Sequence, residues 1–254
     1  MARASGEAAD SADGSGTAGG SRTTRTAALG WLALSNTLFA GSYVAGKVAL
    51  THLSPIELNA ARFGLAALLL APVLWRGRRL LAGQLADRRS LWALARLVLL
   101  GFVLNKAFEY AGLSLSTAAD VALLIATESL FTAVLSWLVL RERITRAGMA
   151  ALLVGLAGVY LVIERGIVPN LGGPHGGGRI LGDLLVVMAL VFESAYTVGG
   201  KASLDRLPPL LLTGVSIAGS LVVWLPAGAL AVARGGWPAV TPGEWLAVIY
   251  MAVG

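Results

Sequence analysis

Seven apolar segments, each of 18 or more residues, follow one another along this 254-residue chain and are separated by short polar stretches. Each is long enough to cross the roughly 30 Å hydrocarbon core of a bilayer as a helix. Because a backbone in lipid must satisfy its own hydrogen bonds, every span is expected to be helical. The predicted spans are 28–49, 55–75, 91–112, 116–139, 146–163, 180–200 and 208–233, and another apolar run begins at 244.

Two polar stretches divide the chain into regions. Residues 1–26 are rich in Gly, Ala, Ser and Thr, which predicts a disordered tail with little to bury. The Gly/Pro-rich stretch 164–179 separates a five-span unit, 27–163, from a second unit, 180–254. Its glycines do not form a phosphate-binding loop, because no Gly-Lys-Ser/Thr follows them.

Composition agrees with the hydrophobic pattern. Hydrophobic residues make up 56% of the chain and charged residues 13%, with a mean hydropathy of +0.75, whereas soluble domains average about 25% charged residues. The net charge of +6 does not indicate nucleic-acid binding, because the arginines lie in short loops between apolar runs. There is no cysteine, and the two histidines have no second ligand at metal spacing, so no metal or cofactor is predicted.

The distribution of lysine and arginine predicts the orientation in the plasma membrane. With a cytoplasmic N-terminus, three cations lie outside, Arg165, Arg179 and Arg234, and thirteen lie inside. This asymmetry favours the N-in topology. The thirteen are Arg3, Arg22, Arg25, Arg76, Arg78, Arg79, Arg88, Arg89, Arg141, Arg143, Arg146, Lys201 and Arg206.

The second unit resembles the first at a constant offset of 153 residues. "FAGSYVAGKVALTHLSP" (39–55) then lies over "FESAYTVGGKASLDRLP" (192–208). Because the first unit has five spans, an odd number, the second copy begins on the opposite side of the membrane. Transporters built from inverted repeats have this arrangement. By the same arithmetic roughly 60 residues equivalent to 102–163 are missing after Gly254, so the second repeat is expected to be truncated.

Three segments resemble the EamA type of the drug/metabolite transporter superfamily. They are "SPIELNAARFGLAALLLAPVLW" (54–75), "TAADVALLIATESLFTAVLSWLVLRERITRAGMAALLVGLAGVYLVI" (117–163) and "LGDLLVVMALVFESAYTV" (181–198). One departure is Ser129, where many relatives carry proline after the glutamate. The resemblance implies an all-α polytopic fold of ten helices in two inverted five-helix repeats, and transport of small metabolites.

Six ionisable residues lie in the outer third of the predicted spans. Lys106 and Glu109, three positions apart, share one helix face. Ionisable groups inside spans cost roughly 2.5–3.5 kcal/mol each at a helix centre and are functional candidates. The hypothesis is an external vestibule for zwitterionic or charged substrates; the alternative is that the charges pair and hold helix ends together. Arg62, Lys106, Glu109 and Asp120 are assigned to the vestibule, and Lys47 and Glu57 lie near it.

Glu128 and Glu193 lie deeper, about 12 and 13 residues into their spans, and neither has a cation three or four positions away. They belong to different repeats, and transporters of this architecture bind substrate between repeats. The hypothesis is that they bind substrate or carry a coupling proton; the alternative is a protonated glutamate that hydrogen-bonds to a neighbouring helix. Candidate cavity-lining residues are Asn36, Tyr43, Asn105 and Tyr196.

The function that the sequence favours is a bacterial secondary transporter, a permease or exporter for small metabolites or drugs. Its partners would be the lipid bilayer and a small-molecule substrate, without nucleic acid, and the oligomeric state stays open, a homodimer included. A membrane enzyme is disfavoured because no nucleophile or histidine-rich motif is present. The other alternative is a truncated or partner-dependent membrane protein without transport activity of its own.

Overall fold

The computed structural model describes residues 30, 35, 37–140, 146–164, 176–204 and 207–253. The predicted tail 1–26, Asn36 and most of the linker 164–179 lie outside these residues. By internal contacts the chain divides into Met1–Phe39 and Ala40–Gly254, and the second unit contains every contact reported below.

The described residues form helices and turns, with no strand among them. Residues 37–49 are helical (α1). The following elements are α2 (Pro55–Ala86), α3 (Arg88–Leu97), a π-helix (Val98–Leu104), α4 (Asn105–Leu115), α5 (Ala118–Ile125), α6 (Glu128–Leu140), α7 (Arg146–Glu164), α8 (Gly176–Leu204), α9 (Pro209–Gly235) and α10 (Pro242–Val253).

Five helical segments are long and apolar enough to cross a membrane: Pro55–Ala86, Arg88–Leu115, Ala118–Val139, Gly177–Gly200 and Pro209–Gly235. Two shorter apolar helices are Ala147–Gly158, within α7, and Pro242–Val253. The predicted span 28–49 begins outside the described residues. The chain is therefore an all-α polytopic membrane protein.

Helix α2 continues well past the predicted end at residue 75. Its 32 residues begin at a capping box formed by Ser54 and Glu57, with Pro55 in the first turn. At about 1.5 Å per residue the helix is about 48 Å long, which exceeds the bilayer core. The arginines at 76, 78 and 79 therefore lie on a helix, not in a loop as predicted, and Asp87 alone separates α2 from α3.

The third span contains a π-helix between α3 and α4. A π-helix pairs each N–H with the carbonyl five residues earlier, not four as in an α-helix. Within it, the Phe102 carbonyl accepts a hydrogen bond from the Trp224 indole of α9 at 2.9 Å. Gly101 faces the Tyr196 ring so closely that an added Cβ would lie 2.6 Å from it. The π-helix thus brings α8 and α9 against the third span immediately before Asn105 and Lys106.

The fourth span is interrupted at Ala126 and Thr127, between α5 and α6. The Thr127 hydroxyl and backbone N–H both donate to the Leu124 carbonyl, at 2.6 and 2.9 Å. The interruption occurs although Ser129 replaces proline. As a result Glu128 lies in the first turn of a new helix.

Two antiparallel helix pairs form much of the bundle. Helices α4 and α8 approach most closely at Gly112 and Gly182, where a Cβ on Gly112 would lie 2.6 Å from the Gly182 carbonyl oxygen. Helices α2 and α9 pack along their length, with Gly228 against Ala60 and Gly77 against Leu211. Helix α8 also contacts α5, α6 and the π-helix, so it joins the chain's two halves.

Candidate functional site

Eight ionisable side chains from α1, α2, α4, α6 and α8 form one electrostatic network, here called the central cluster. Lys106 interacts with Glu109 and Glu193, and Glu128 interacts with Lys106 and Glu109. The Tyr196 hydroxyl interacts with Glu193 and Lys106. The members are Tyr43, Arg62, Lys106, Glu109, Tyr110, Glu128, Glu193 and Tyr196.

Two contacts inside the central cluster are specific. Lys106 Nζ donates to Glu109 Oε2 at 2.6 Å, so the pair expected from the spacing is present, and the Glu109 side chain is only 3% exposed. Arg62 Nη1 donates to the Tyr110 hydroxyl. The Arg62 guanidinium also lies over the Phe63 and Tyr110 rings, 5.2 and 5.4 Å from their centroids, a cation–π arrangement.

Three charged groups of the central cluster have no ion-pair partner within the described part of the chain. They are Arg62, Glu128 and Glu193, and all three are half-buried. Lys106 is the cation that interacts electrostatically with both glutamates, but its hydrogen bond goes to Glu109. An ionised group without a partner is costly to hold in a membrane interior, which makes these three groups candidates for binding a charged ligand.

Electrostatic interactions connect the charges predicted for the outer set with those predicted for the deep set. Lys106 and Glu109, assigned to the outer set, belong to the same network as Glu128 and Glu193. Lys106 lies nine residues from the end of α4, about 14 Å along the helix. Packing between helices, which sequence spacing does not show, brings it within range of an electrostatic interaction with both glutamates.

Asp120 lies outside the central cluster, at the end of the bundle where α4 ends and α5 begins, here called the α4–α5 end. Its Oδ2 accepts a hydrogen bond from Arg179 Nε at 3.1 Å. Arg179 Nη2 also lies 3.5 Å from Asp183 Oδ2, and Asp183 Oδ1 accepts a hydrogen bond from the Ser116 hydroxyl. These contacts bind the first turns of α8 to α5 and to the α4–α5 turn.

Two further contacts join helices at the α4–α5 end. Lys47 Nζ donates to the carbonyls of Leu113, Ser114 and Ser116 at 2.7, 3.1 and 2.6 Å, which caps the C-terminus of α4. His52 Nδ1 lies 2.6 Å from Oε1 of the buried Glu244, which links the α1–α2 turn to α10. We refer to the Lys47, His52–Glu244, Ser116–Asp183 and Arg179 contacts together as the end ties.

The remaining predicted residues lie beside the central cluster. Asn105 is buried and donates from Nδ2 to the Ala189 carbonyl of α8 at 2.9 Å. The Tyr196 ring meets Phe102 edge to face at 5.6 Å, and the Tyr43 ring is 3% exposed. Glu57 caps its own helix by accepting hydrogen bonds from the Ser54 backbone N–H and hydroxyl. Asn36 lies outside the described residues.

Sequence reasoning missed Asp183 and the partner of Asp120. Asp183 is fully buried and its bonds to Ser116 and Arg179 join three elements. One signal was available, because Arg179 and Asp183 lie four positions apart at the start of a helix. In the described residues no group of three or more His, Cys, Asp or Glu could hold a metal ion.

Residues 26–164, more than half of the chain, match the EamA-like transporter family. An uncharacterized transporter of Archaeoglobus fulgidus is 29% identical over 197 residues, which cover 77% of this chain and 64% of that protein. The uncharacterized transporter YetK of Bacillus subtilis is 25% identical over 143 residues, 56% of this chain and 42% of that protein.

This chain therefore spans less than two thirds of the length of these curated relatives. A crystal structure that shares 22% identity superposes with a TM-score of 0.54 over 85% of this chain and 71% of its own. That likeness concerns the fold alone.

Proposed function

This chain belongs to the EamA-like transporter family, and we propose that it moves a small zwitterionic molecule across the plasma membrane by alternating access. The observation that carries the proposal is the presence of unpaired charges of both signs in one membrane-embedded network. Arg62 lies on α2, and Glu128 and Glu193 lie on α6 and α8. The central cluster is the proposed substrate site.

Each unpaired group has a proposed role that follows from its chemistry. The Arg62 guanidinium donates one hydrogen bond to the Tyr110 hydroxyl. Its other N–H groups can donate to a carboxylate or phosphate of the substrate. Glu128 and Glu193 take the cationic group of the substrate or a coupling proton. The Lys106–Glu109 pair interacts electrostatically with both glutamates and is itself charge-balanced, so it does not compete for either end of the substrate.

The break in the fourth span supports a role for Glu128 in binding. Its carboxylate lies at the N-terminus of α6, where the helix dipole favours negative charge. Discontinuous helices often supply the substrate and ion sites of secondary transporters, because their ends present unpaired backbone groups. A two-residue break also gives α5 and α6 a point at which they can change angle as access alternates.

Two observations support the inverted-repeat architecture. Helices α2 and α9 are equivalent at the offset of 153 residues, and they run antiparallel to each other in the bundle. Gly46 of α1 faces Met251 of α10, and its equivalent, Gly199 of α8, faces Leu97, which is within one residue of the equivalent of Met251. Matching contacts in the two halves are expected if the halves share one fold in opposite orientations.

The proposed orientation follows the distribution of arginine. With the N-terminus in the cytoplasm, the α4–α5 end faces outward and the arginines of α2 and α3 face the cytoplasm. The end ties would then close the external side of the site. A substrate would enter from the cytoplasmic side in this conformation, which agrees with an exporter.

An export assay on the complete gene tests the proposal. Cells that overexpress the gene are challenged with toxic amino-acid analogues and other small zwitterions, and resistance identifies a substrate. Glu128→Gln and Glu193→Gln should abolish resistance at unchanged protein level in the membrane. Glu57→Gln is the matched control, because that carboxylate only caps its own helix. If both cluster variants keep full resistance, the proposed site is wrong.

A further inference from the structure

Tyr110 is a buried tyrosine of the central cluster whose hydroxyl proton has no acceptor among the described residues. The residue is 2% exposed, and its hydroxyl oxygen accepts a hydrogen bond from Arg62 Nη1. A phenol hydroxyl has one O–H donor besides its acceptor lone pairs, so the oxygen is bonded while the proton is still available. Because a buried donor without an acceptor is unfavourable, the Tyr110 O–H suits a ligand that supplies an acceptor.

Packing fixes both the Tyr110 ring and the guanidinium beside it. Gly46 of α1 lies against the ring, and a Cβ added at Gly46 would lie 3.3 Å from Tyr110 Cε1. The Arg62 guanidinium lies 5.4 Å from the centroid of the same ring and 5.2 Å from that of Phe63. The phenol and the guanidinium are therefore held next to each other before any ligand binds, which lowers the entropic cost of binding.

The hydrogen bond from Arg62 also makes Tyr110 a stronger donor. A hydroxyl that accepts from a cation is polarised, and its own O–H then donates more strongly. The remaining N–H groups of Arg62 and the O–H of Tyr110 are thus donors on neighbouring side chains. Two such donors match the two oxygens of one carboxylate.

The positive charge available at this point is that of one guanidinium. Lys106, the other cation of the central cluster, is paired with Glu109. A carboxylate carries one negative charge, which Arg62 neutralises. A phosphate carries up to two, and the second would lie uncompensated in a network that already contains Glu128 and Glu193.

We propose that Tyr110 is a substrate-binding residue, whose hydroxyl donates a hydrogen bond to one carboxylate oxygen of the substrate while Arg62 donates to the other. The anionic group that this pair accepts is a carboxylate, not a phosphate. This assignment rests on the proposed function, because it concerns the same site. It gives Tyr110 a contact with the substrate in addition to its contact with Arg62.

The test is a double-mutant cycle of Tyr110→Phe and Arg62→Gln in the protein from the complete gene, reconstituted in proteoliposomes. Tyr110→Phe keeps the ring and its packing and removes the hydroxyl. Radiolabelled glycine is the probe, because it carries a carboxylate and an ammonium group and no side chain. Tyr110→Phe should raise the half-saturation concentration for glycine about tenfold, since a hydrogen bond to a charged group is lost. This concentration does not depend on how much protein is folded.

The double variant separates binding from positioning. If Tyr110 contacts the carboxylate, Tyr110→Phe should raise the half-saturation concentration about threefold or more in the Arg62→Gln background as well. If Tyr110 only holds Arg62 in place, Tyr110→Phe has no effect in that background, and this result would overturn the proposal. Tyr160→Phe, on an exposed tyrosine of α7 outside the central cluster, is the matched control.

Two analogues of glycine test the chemistry of the anionic group. Methylamine, which lacks the carboxylate, should inhibit glycine uptake with the same inhibition constant in the wild type and in Tyr110→Phe. Aminomethylphosphonate should bind the wild type about tenfold or more weakly than glycine does. Equal binding of the phosphonate and of glycine would overturn the assignment to a carboxylate.

Failure of this assignment can be told apart from failure of the proposed function. If Arg62→Gln also leaves the half-saturation concentration for glycine unchanged, the central cluster is not the substrate site. If Arg62→Gln raises it and Tyr110→Phe adds nothing in either background, the site stands and Tyr110 does not bind substrate. If the wild type shows no saturable glycine uptake but still confers resistance in the export assay, the carboxylate assignment alone is wrong.

Discussion

The central cluster and the end ties contain similar numbers of charged side chains, but they differ in how those charges are paired. At the α4–α5 end, Lys47, Asp120, Arg179, Asp183 and Glu244 each contact a partner on another element. In the central cluster, Arg62, Glu128 and Glu193 have no ion-pair partner among the described residues. The comparison separates charges that join helices from charges that are available to a ligand.

The largest expected difference is in stability. Asp183→Ala removes a fully buried carboxylate and should destabilise the protein by about 2 kcal/mol, because the buried Ser116 hydroxyl loses its acceptor while Arg179 keeps only Asp120. Glu193→Ala should be neutral or slightly stabilising, since it removes a half-buried charge that has no partner. Thermal unfolding in one detergent measures both. Equal destabilisation by the two substitutions would remove the distinction between the regions.

The second difference is in substrate recognition. Arg62→Gln should raise the half-saturation concentration for a zwitterion about 10- to 100-fold, because a charge-assisted hydrogen bond contributes about 1.5–3 kcal/mol. A derivative whose carboxylate is amidated should be transported equally by the wild type and the variant. Arg179→Gln, in the end ties, should leave the half-saturation concentration unchanged. Uptake of radiolabelled substrate into proteoliposomes gives these values. If Arg62→Gln raises the half-saturation concentration equally for the zwitterion and for its amidated derivative, Arg62 does not bind the carboxylate.

A third prediction concerns the π-helix that precedes Lys106. Trp224→Phe removes the hydrogen bond to the Phe102 carbonyl and should cost about 1 kcal/mol of stability. Because the π-helix positions the turn that carries Asn105 and Lys106, transport should fall severalfold more than the amount of folded protein does. Trp237→Phe, on an exposed indole, is the control. A loss of transport no greater than the loss of folded protein would limit Trp224 to a structural role.

The smallest expected effect is at the edge of the end ties. His52→Gln weakens the link to Glu244, but the His52 side chain is 47% exposed, so solvent already screens the pair. The apparent melting temperature should fall by about 2 °C or less. A fall as large as that of Asp183→Ala would show that exposed and buried ties contribute equally.

Much of the fold was predictable because bilayer thickness imposes a simple rule on sequence. The apolar runs predicted the five long spans of the described residues in their order, and the spacing of Lys106 and Glu109 predicted their ion pair. The end of α2 was predicted too early, since arginine was taken as the end of a span. Arginine ends the contact with hydrocarbon, but it is a good helix former and does not end the helix.

The composition of the central cluster was less predictable, because it depends on contacts between residues far apart in sequence. Lys106 interacts electrostatically with Glu193 across the packed helices α4 and α8, which approach most closely at Gly112 and Gly182. Neither the π-helix at Val98–Leu104 nor the break before Glu128 has a proline or another local marker. The π-helix accepts a hydrogen bond from Trp224 of α9, which only the folded bundle brings into place.

The central claim is that unpaired charges handle the substrate and paired charges hold the bundle together. It is tested most directly by measuring transport and thermal unfolding together for Glu193→Gln and Asp183→Asn, each purified from the complete gene. The account predicts that Glu193→Gln loses transport with an unchanged melting temperature. It predicts that Asp183→Asn loses stability while the folded molecules keep the wild-type half-saturation concentration for substrate, because the end ties do not contact the substrate. Full transport by Glu193→Gln, or a raised half-saturation concentration in folded Asp183→Asn, would contradict it.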